Sequence, residues 1–339
     1  MFNLPAGFLT TFLKSQLFTK LPCPETPLTD QVIIITGSNV GLGLEAARHF
    51  VGLDAAKVIL GCRSISKGEA ALADIEHSTG RKGVVELWEV DMSNYQSVEA
   101  FCARVESEER IDVVVENAGI AVPNYEEVEG TESTIAVNVV ATFLMAVLMV
   151  PVLRRTAERF SVTPRLVIVA SDAHEQASFV EGDSPPGGIF STMAQNDPKL
   201  QPDRYNTSKL LQILVVRELA PLLTRSTSPS QDIIINTLTP GLCHSALMRH
   251  AVFPLNVLAA IGKTLLARST EVGSRTLFSA AVAGRETHGC YMADCVVREP
   301  SAYVRSAKGA EVQKRVWKEL REILEDVKEG STSCLKELS

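Results

Sequence analysis

The sequence lacks the patterns that mark several classes of protein. Its seven cysteines among 339 residues are scattered, with no CxxC pair and no metal-ligand spacing, so neither a zinc site nor a disulfide-stapled secreted fold is indicated. No basic stripe offsets the net charge of −7, which argues against a nucleic-acid partner. There is also no internal repeat and no biased tract. The scattered thiols are typical of a reduced, cytoplasmic compartment.

No apolar run is long and clean enough to predict a transmembrane span. Residues 2–18 are apolar but are interrupted by Pro5 and Lys14, and no basic region precedes them as in a secretory signal. The run Val139–Leu153 is too short to cross a bilayer and contains Pro151, so we expect a buried helix there. This helix is either core or the interface of a homodimer. Weak surface association of the N-terminal segment stays open.

Short apolar strands alternate with helical patterns along a chain that is 45% hydrophobic and 22% charged. The alternation predicts an α/β fold: one doubly wound parallel sheet of the Rossmann type, a single domain at residues 31–300 with helices on both faces. We expect residues 1–30 to form an N-terminal arm and residues 301–339 a C-terminal helix, from about Glu311, and tail. The predicted strands are Val32–Ile35, Lys57–Arg63, Val84–Val90, Ile111–Val115, Arg165–Ala170, Ile233–Leu238 and a last one around Cys290–Val296.

The first strand runs directly into a glycine-rich turn that precedes a helical pattern. Three glycines let the backbone turn tightly and keep Cβ atoms away from a ligand, while the N-terminus of the following helix favours an anion. Glycines are common in loops, but this position between a strand and a helix is typical of a dinucleotide pyrophosphate site. The turn consists of Thr36, Gly37, Ser38, Asn39, Val40, Gly41, Leu42 and Gly43.

Polar residues also follow four other predicted strands. Because the carboxyl ends of parallel strands meet at one edge of a sheet, we expect these residues to line one crevice together with the glycine turn. After the third strand, Ser93 with Gln96 predicts the N-cap of a helix. The strand-end residues are Asp91, Asn117-Ala118-Gly119, Ser171, and Pro240-Gly241 with Ser245 close behind.

Tyr205 and Lys209 lie four positions apart in a helical pattern, which places them on one helix face, one turn apart. Reduction of a carbonyl requires that the developing alkoxide is hydrogen-bonded and protonated. A tyrosine can donate that proton, although its ordinary pKa of about 10 is high, and a neighbouring ammonium favours the phenolate. The spacing therefore suggests an acid/base pair. A buried tyrosine with an unrelated surface lysine is the plainer alternative.

Taken together, these motifs resemble the short-chain dehydrogenase/reductase family. The family's motifs occur in the expected order between about residue 30 and residue 298. Arg63 and the long interval between Ser171 and Tyr205 are similar to retinol-dehydrogenase-like members and to reductases of fungal secondary metabolism. The matching motifs are the glycine turn, Asn117-Ala118-Gly119, the serine after strand five, and Tyr205-Asn206-Thr207-Ser208-Lys209.

The resemblance implies a role for each matching position. Tyr205 is the expected catalytic acid/base, Lys209 lowers its pKa and binds the nicotinamide ribose, and Ser171 holds the substrate oxygen. Asn138 matches the family's active-site asparagine, which helps to hold a water that links the lysine to solvent. The implied cofactor-binding residues are the glycine turn, Tyr205 and Lys209, Asp91 beside the adenine, Asn117, Ala118 and Gly119 beside the ribose, and Pro240, Gly241 and Ser245 over the nicotinamide.

The end of the second strand indicates which cofactor would bind. An NAD site commonly has a carboxylate here for the ribose hydroxyls, whereas this chain has Cys62 followed by Arg63. A guanidinium can clamp a 2′-phosphate bidentately, so we expect NADP(H); an arginine that is merely solvated is the alternative. One departure from the family is Glu116, which stands where an asparagine is common.

Two segments near the expected pocket suggest the substrate class. The interval between Ser171 and Tyr205 is expected to form a flap, with residues 251–267 as the opposite wall. Their apolar content favours a hydrophobic ketone, aldehyde or secondary alcohol, although packing or oligomer contacts are the alternative use. His174 is either a substrate contact or an ordinary loop histidine. The apolar residues of the flap are Phe179, Ile189, Phe190 and Met193.

The resulting hypothesis is an NADP(H)-dependent oxidoreductase that acts on an apolar small molecule, with no nucleic-acid partner and no transmembrane segment. A non-catalytic dinucleotide-sensing or scaffold protein would be expected to lack Tyr205 or Lys209, and both are present. An epimerase or dehydratase that uses the same site is the third alternative.

Overall fold

One large β-sheet separates two layers of helices in the computed structural model, which describes residues 7–224, 232–244 and 266–335. The strands are β1 Val32–Thr36, β2 Lys57–Cys62, β3 Val85–Glu89, β4 Val113–Glu116, β5 Glu127–Val128, β6 Thr131–Glu132, β7 Arg165–Val169, β8 Ile234–Thr239, β9 Tyr291–Ala293 and β10 Val296–Arg298. β5 and β6 form a separate hairpin; the main sheet has the order β10-β9-β8-β7-β4-β1-β2-β3, parallel except between β9 and β10. The predicted doubly wound sheet is confirmed.

Helices cover both faces of this sheet. The helices are α1 Phe8–Phe18, α2 Gly41–Gly52, α3 Ile65–Thr79, α4 Tyr95–Glu106, α5 Ser133–Phe160, α6 Ile189–Met193, α7 Arg204–Leu223, α8 Thr270–Val282, α9 Ala302–Arg305 and α10 Ala307–Val327. α2 and α8 contribute to the apolar core on one face, and α4, α5, α7 and α10 contribute to the core on the other.

Strand β1 explains why the predicted strands are unbroken apolar runs. Ile34 faces the core formed with α4, α5 and α7, whereas Ile33 and Ile35 face the core formed with α2 and α8. All three side chains are fully buried. Because side chains alternate between the two faces of a strand, a strand that is covered on both faces is apolar at every position.

The strand order reverses beside β1, and this reversal positions the crevice. The chain leaves β1 for β2 and β3 on one side, then returns to β4 on the other side. Helices that follow β1 and β4 therefore pack on opposite faces, and the carboxyl ends of the two strands open between them. Ligands bind at such a switch point in open parallel sheets.

The apolar segment that could be core or dimer interface lies in the middle of α5. This helix passes through one π-helical turn at Ala136–Ala141 before it continues to Phe160. Its length and hydropathy would suit a membrane span, but 89% of its apolar window is buried inside the fold. α4, α7 and the turn at Ser333–Leu335 pack against it. The helix is therefore core, and a homodimer stays a prediction.

The C-terminal elements differ from the expected boundaries. The single strand expected around residues 290–296 is a hairpin, β9 and β10, which turns through Asp294 and Cys295 at positive φ. The last helix begins at Ala307 rather than near Glu311, because the Ser306 hydroxyl accepts the N–H of Gly309 and caps it.

The helix after β3 also begins at a different residue from the one expected. Ser93 does not cap it, because the Ser93 amide and hydroxyl both donate to the carboxylate of Asp91. Asn94 takes that place, and its side-chain oxygen accepts the N–H of Ser97. The capping-box prediction was wrong by one residue since a neighbouring carboxylate competes for the serine.

Glu116 is a buried acid at the end of β4. Its side chain is 2% exposed, and neither carboxylate oxygen has a hydrogen-bond partner among the residues that the structure describes. Burial raises the pKa of Glu116 well above its ordinary value. Burial therefore favours the protonated group in the folded protein, whereas the carboxyl ionises above about pH 4.3 when the chain unfolds.

We expect Glu116→Met to raise the free energy of unfolding, and to raise it more as the pH increases. The wild type loses up to about 1.4 kcal/mol per pH unit relative to this variant above about pH 4.3, because only its unfolded state releases the proton. Denaturant unfolding of both proteins between about pH 5 and pH 8 measures the difference. Glu89→Met, at an exposed strand end, is the control. A pH-independent difference at Glu116 would contradict the expectation.

Candidate active site

The glycine turn lies at the carboxyl end of β1, and α2 starts within it. A Cβ atom at Gly41 would meet nothing within 4 Å, so this side of the turn is open. A Cβ atom at Gly43 would lie 2.6 Å from both Gly37 O and Asn117 Nδ2, which only glycine avoids. Ser38 is buried and donates its hydroxyl to Ile35 O at 3.0 Å, so it shapes the turn. An open turn beneath a helix N-terminus fits a dinucleotide pyrophosphate.

Hydrogen bonds tie this turn to the loop after β4. The Thr36 hydroxyl accepts the N–H groups of Asn117 and Ala118, both at 3.0 Å. The Asn117 side chain donates to Thr36 O at 2.8 Å and to Gly37 O at 3.2 Å. Asn117 thus holds the turn in place with its amide, while Ala118 and Gly119 continue along the crevice. The expected neighbours of the ribose do meet at one edge.

The opposite end of the crevice carries the side chains expected near the adenosine. Cys62 is buried at the end of β2, and the next residue, Arg63, is exposed with no ion pair to any described residue. Asp91 is half-buried, and one of its oxygens is taken by Ser93. An exposed guanidinium with no carboxylate at the strand end fits a 2′-phosphate.

Ser171 and Tyr205 meet at the end of β7. The Tyr205 phenol lies beside the Ser171 hydroxyl, which acts to lower its pKa. This hydroxyl donates to Asp172 Oδ1 at 3.2 Å and accepts the N–H of Ala173. Burial, helped by the Asp172 carboxyl, raises the pKa of Tyr205 to about 12. The lowered pKa that we expected for the phenol is not found here, and the group stays protonated at neutral pH.

Lys209 is buried one turn behind Tyr205. Its ammonium donates to Val169 O at 2.8 Å and to Gln212 Oε1 at 3.1 Å, and it lies 5.7 Å from the centre of the Tyr205 ring. Burial lowers the pKa of Lys209 to about 7. The lysine is therefore close to half-protonated at neutral pH, which is well suited to proton exchange.

Asn138 lies in the π-helical turn of α5 and is fully buried. Its side-chain oxygen accepts the N–H of Ile120, and its amide donates to Ile120 O and to Ser208 Oγ, all at 2.9–3.0 Å. Its backbone carbonyl accepts from Gln212 Nε2 at 2.7 Å. The sequence reasoning missed Gln212; its only signal is one amide in an otherwise apolar stretch three residues after Lys209.

Comparisons with known proteins identify the family of this chain. The short chain dehydrogenase family model matches residues 31–181. The short chain dehydrogenase/reductase dmxR8 from Cryptosporiopsis sp. is 46% identical over 328 residues, which are 95% of this chain and 99% of that relative. The chain belongs to the short-chain dehydrogenase/reductase family. The short chain dehydrogenase atnD from Emericella nidulans is 42% identical and covers 88% of this chain and 94% of its own length.

Solved structures agree with this family at the level of the fold. A short chain dehydrogenase from Escherichia coli CFT073, in a crystal with NADPH, superimposes with a TM-score of 0.59 at 20% identity and covers 80% of this chain and 99% of its own. The carbonyl reductase Sniffer of D. melanogaster has a TM-score of 0.56 at 18% identity, with the same two coverages.

In this dehydrogenase/reductase the expected nicotinamide segment follows β8, and the N-terminal arm packs on it. Gly241 has φ +72, and the Gln16 side chain of α1 donates to Leu242 O at 2.8 Å and to Leu266 O at 3.2 Å. The Arg268 guanidinium donates to Ser15 O, and it pairs with Asp294 at 2.7 Å. The N-terminal arm therefore packs against the segment that is expected to cover the nicotinamide. Pro240 is buried beside this contact, and the predicted Ser245 lies outside the described residues.

The segment between Ser171 and Tyr205 packs inward, which corrects the expectation of an apolar flap. Its α6 helix is held by α10, since the Glu319 carboxylate accepts the N–H groups of Gly187 and Ile189 at 3.0 and 2.9 Å. The wall expected at 251–267 lies outside the described residues apart from its last two. The four apolar residues are buried in the core that α10 shares: Phe179, Ile189, Phe190 and Met193.

His174 is a structural residue of this family member. It is 1% exposed; its Nδ1 lies 2.8 Å from Ser171 O, and its Nε2 accepts the N–H of Ser301 at 3.0 Å. Burial lowers the pKa of His174 to about 4, so the ring is neutral and Nδ1 carries the proton. The histidine anchors the loop of Ser171 to the C-terminal segment, and the alternative of a substrate contact is not supported.

We expect Lys209→Met to change the pH dependence of stability in the protein without cofactor. Because the folded pKa of Lys209 is about 7 and the unfolded value is about 10.4, only the unfolded wild type is fully protonated between these values. The wild type should gain up to about 1.4 kcal/mol per pH unit over the variant in that window.

Denaturant unfolding at about pH 6 and pH 9 measures this gain. Lys318→Met, at an exposed position of α10, should show the same difference from wild type at both values. A gain at Lys209 no larger than at Lys318 would mean that the buried ammonium keeps its ordinary pKa.

Proposed function

We propose that this protein is an NADP(H)-dependent carbonyl reductase that transfers hydride between the nicotinamide and an apolar ketone or aldehyde, or the corresponding secondary alcohol. The observation that carries the proposal is the cluster at the carboxyl edge of the sheet: the Tyr205 phenol against the Ser171 hydroxyl, with the Lys209 ammonium 5.7 Å from the phenol ring. This is the set of groups that a carbonyl needs for orientation and protonation.

The side chains divide the work as follows. When bound, the nicotinamide supplies or accepts the hydride. Ser171 and Tyr205 bind the carbonyl oxygen through their hydroxyls, and Tyr205 donates its phenolic proton as negative charge develops there. Lys209 stabilises the phenolate that remains, because its positive charge lies beside the ring. Asn138 holds Ser208 and the loop at Ile120, so it keeps the helix of Tyr205 in register with β4.

The protonation state of Tyr205 favours reduction. With a pKa of about 12, the phenol carries its proton at any physiological pH and can donate it to a carbonyl. Oxidation of an alcohol requires the phenolate as base, which this environment disfavours until Lys209 and the cofactor add positive charge. The cofactor ratio in the cell sets the net direction.

The substrate is proposed to be neutral. Asp172 receives a hydrogen bond from Ser171 and raises the pKa of Tyr205 through its negative charge. A carboxyl group this close to the proposed carbonyl site repels an anionic substrate such as a keto acid. Neutral ketones are accommodated without that penalty.

The physiological setting proposed is a tailoring reduction in fungal secondary metabolism, in the cytoplasm. The fungal origin of the relatives supports the first part, and seven free thiols support a reducing compartment. Neighbouring genes for polyketide or terpene synthesis would agree with this setting.

Tyr205→Phe should abolish catalysis while NADPH still binds. Because the phenol is the only proposed proton donor, kcat should fall by about 100-fold or more, measured as NADPH consumption with a panel of apolar ketones. Tyr125→Phe is the matched control, since that hydroxyl bonds to Ala194 O in another part of the fold.

NADPH binding by the wild type with no turnover of any ketone would favour a dinucleotide sensor. Products of altered stereochemistry or lost water without net oxidation would indicate an epimerase or dehydratase.

Arg63→Asp should reverse the cofactor preference. Loss of the guanidinium removes a charge-assisted contact to the 2′-phosphate, and the new carboxylate repels it, so the affinity for NADPH should fall roughly 10- to 100-fold while that for NADH is kept or rises. Binding titrations with both nucleotides measure this. Arg298→Asp, at an exposed position of β10, controls for the change in net charge. Equal losses for NADPH and NADH would place the 2′-phosphate elsewhere.

A further inference from the structure

Gln212 has a buried side-chain amide in which both the oxygen and the nitrogen form hydrogen bonds. It is 1% exposed and lies on α7, three residues after Lys209. Its Oε1 accepts from the Lys209 ammonium at 3.1 Å, and its Nε2 donates to the Asn138 carbonyl at 2.7 Å. A buried amide is costly unless both of its groups are bonded, and here each end is bonded to a residue of the proposed site.

The Lys209 ammonium donates hydrogen bonds to two acceptors, one of which is Gln212 Oε1. Val169 O, in β7, accepts a second hydrogen bond at 2.8 Å. Lysine has three N–H donors, so one remains without a partner among the described residues, and a Cβ atom at Gly119 would lie 3.8 Å from Nζ. Two fixed acceptors restrict the rotation of a flexible side chain and leave the third donor available on the side of Gly119.

We infer that Gln212 is a positioning residue, whose amide braces the Lys209 ammonium against the Asn138 carbonyl and favours its protonated form. The inference rests on the proposed function, because Gln212 acts through Lys209 and the role of Lys209 is part of that proposal. It also changes the role of Asn138: its carbonyl is joined to the lysine by a side-chain amide, which orients the lysine but does not pass protons along as a chain of water would. Proton exchange of the lysine then proceeds through the third donor.

The pKa of Lys209 provides a readout that a purely structural role would not change. Burial sets the direction of the shift in the pKa of this ammonium. The oxygen of Gln212 opposes that shift, because a hydrogen bond to the charged form favours it. Removal of the oxygen should lower the pKa further, and a negative charge in its place should raise it.

The experiment follows NADPH affinity against pH by nucleotide fluorescence, which requires no turnover. For the wild type, affinity should fall as the pH rises through the pKa of Lys209. Gln212→Met, which removes both hydrogen bonds at similar volume, should move this midpoint down by about one pH unit. Gln212→Glu, which returns an acceptor and adds a charge, should move it up. Where a carbonyl substrate is found, the pH profile of kcat/KM should shift in the same directions.

Gln313→Met is the matched control. It removes another buried amide, one that joins α10 to Arg217 and Glu218 of α7, and it should leave the midpoint unchanged. A folded Gln212→Met with the wild-type midpoint overturns the inference. If that variant does not fold, Gln212→Glu decides alone, since an unchanged midpoint there would mean that the side chain only packs. A wild type that binds NADPH but reduces no carbonyl would refute the proposed function. The pH midpoints of NADPH binding would still test the role of Gln212 in that case.

Discussion

The site depends on the carboxyl ends of neighbouring parallel strands being held in fixed register. The hydroxyl of Thr36, at the end of β1, accepts two backbone N–H groups from the loop after β4, and Asn117 returns hydrogen bonds to the glycine turn. At the next strand, the Lys209 ammonium bonds to Val169 O. Side chains therefore join the ends of β1 and β4 to each other, and the end of β7 to the helix that carries the phenol. A shift in any one of them would separate the proposed cofactor turn from the phenol.

Much of this arrangement could be predicted from the sequence because its signals are local. A strand that is buried on both faces is apolar at each position, so β1 and its neighbours could be read directly. Polar residues at their ends had to converge once the sheet was parallel. Tyr205 and Lys209 were linked by helical spacing alone. Each of these inferences needs only a few consecutive residues and one geometric rule.

The parts that could not be predicted depend on contacts between distant segments. Gln212 gives no sign in the sequence that its amide reaches Asn138, which lies 74 positions earlier. Glu319 resembles any other acid of a charged helix, yet it accepts hydrogen bonds from a segment about 130 residues away. That contact turns Phe179 and its apolar companions into core residues rather than pocket lining. A residue's chemistry can be read from the sequence, but its partner becomes known only from the fold.

The contact between α1 and the segment after β8 has a practical consequence for protein production. The Gln16 side chain donates hydrogen bonds to the carbonyl oxygens of Leu242 and Leu266. Next to these residues, an isolated parallel β-bridge joins Cys243 to Arg268. Helix α1 thus packs against the edge that is proposed to bind the nicotinamide, although the two segments are far apart in sequence. A chain that is trimmed past Gln16 for protein production would lack both of these hydrogen bonds.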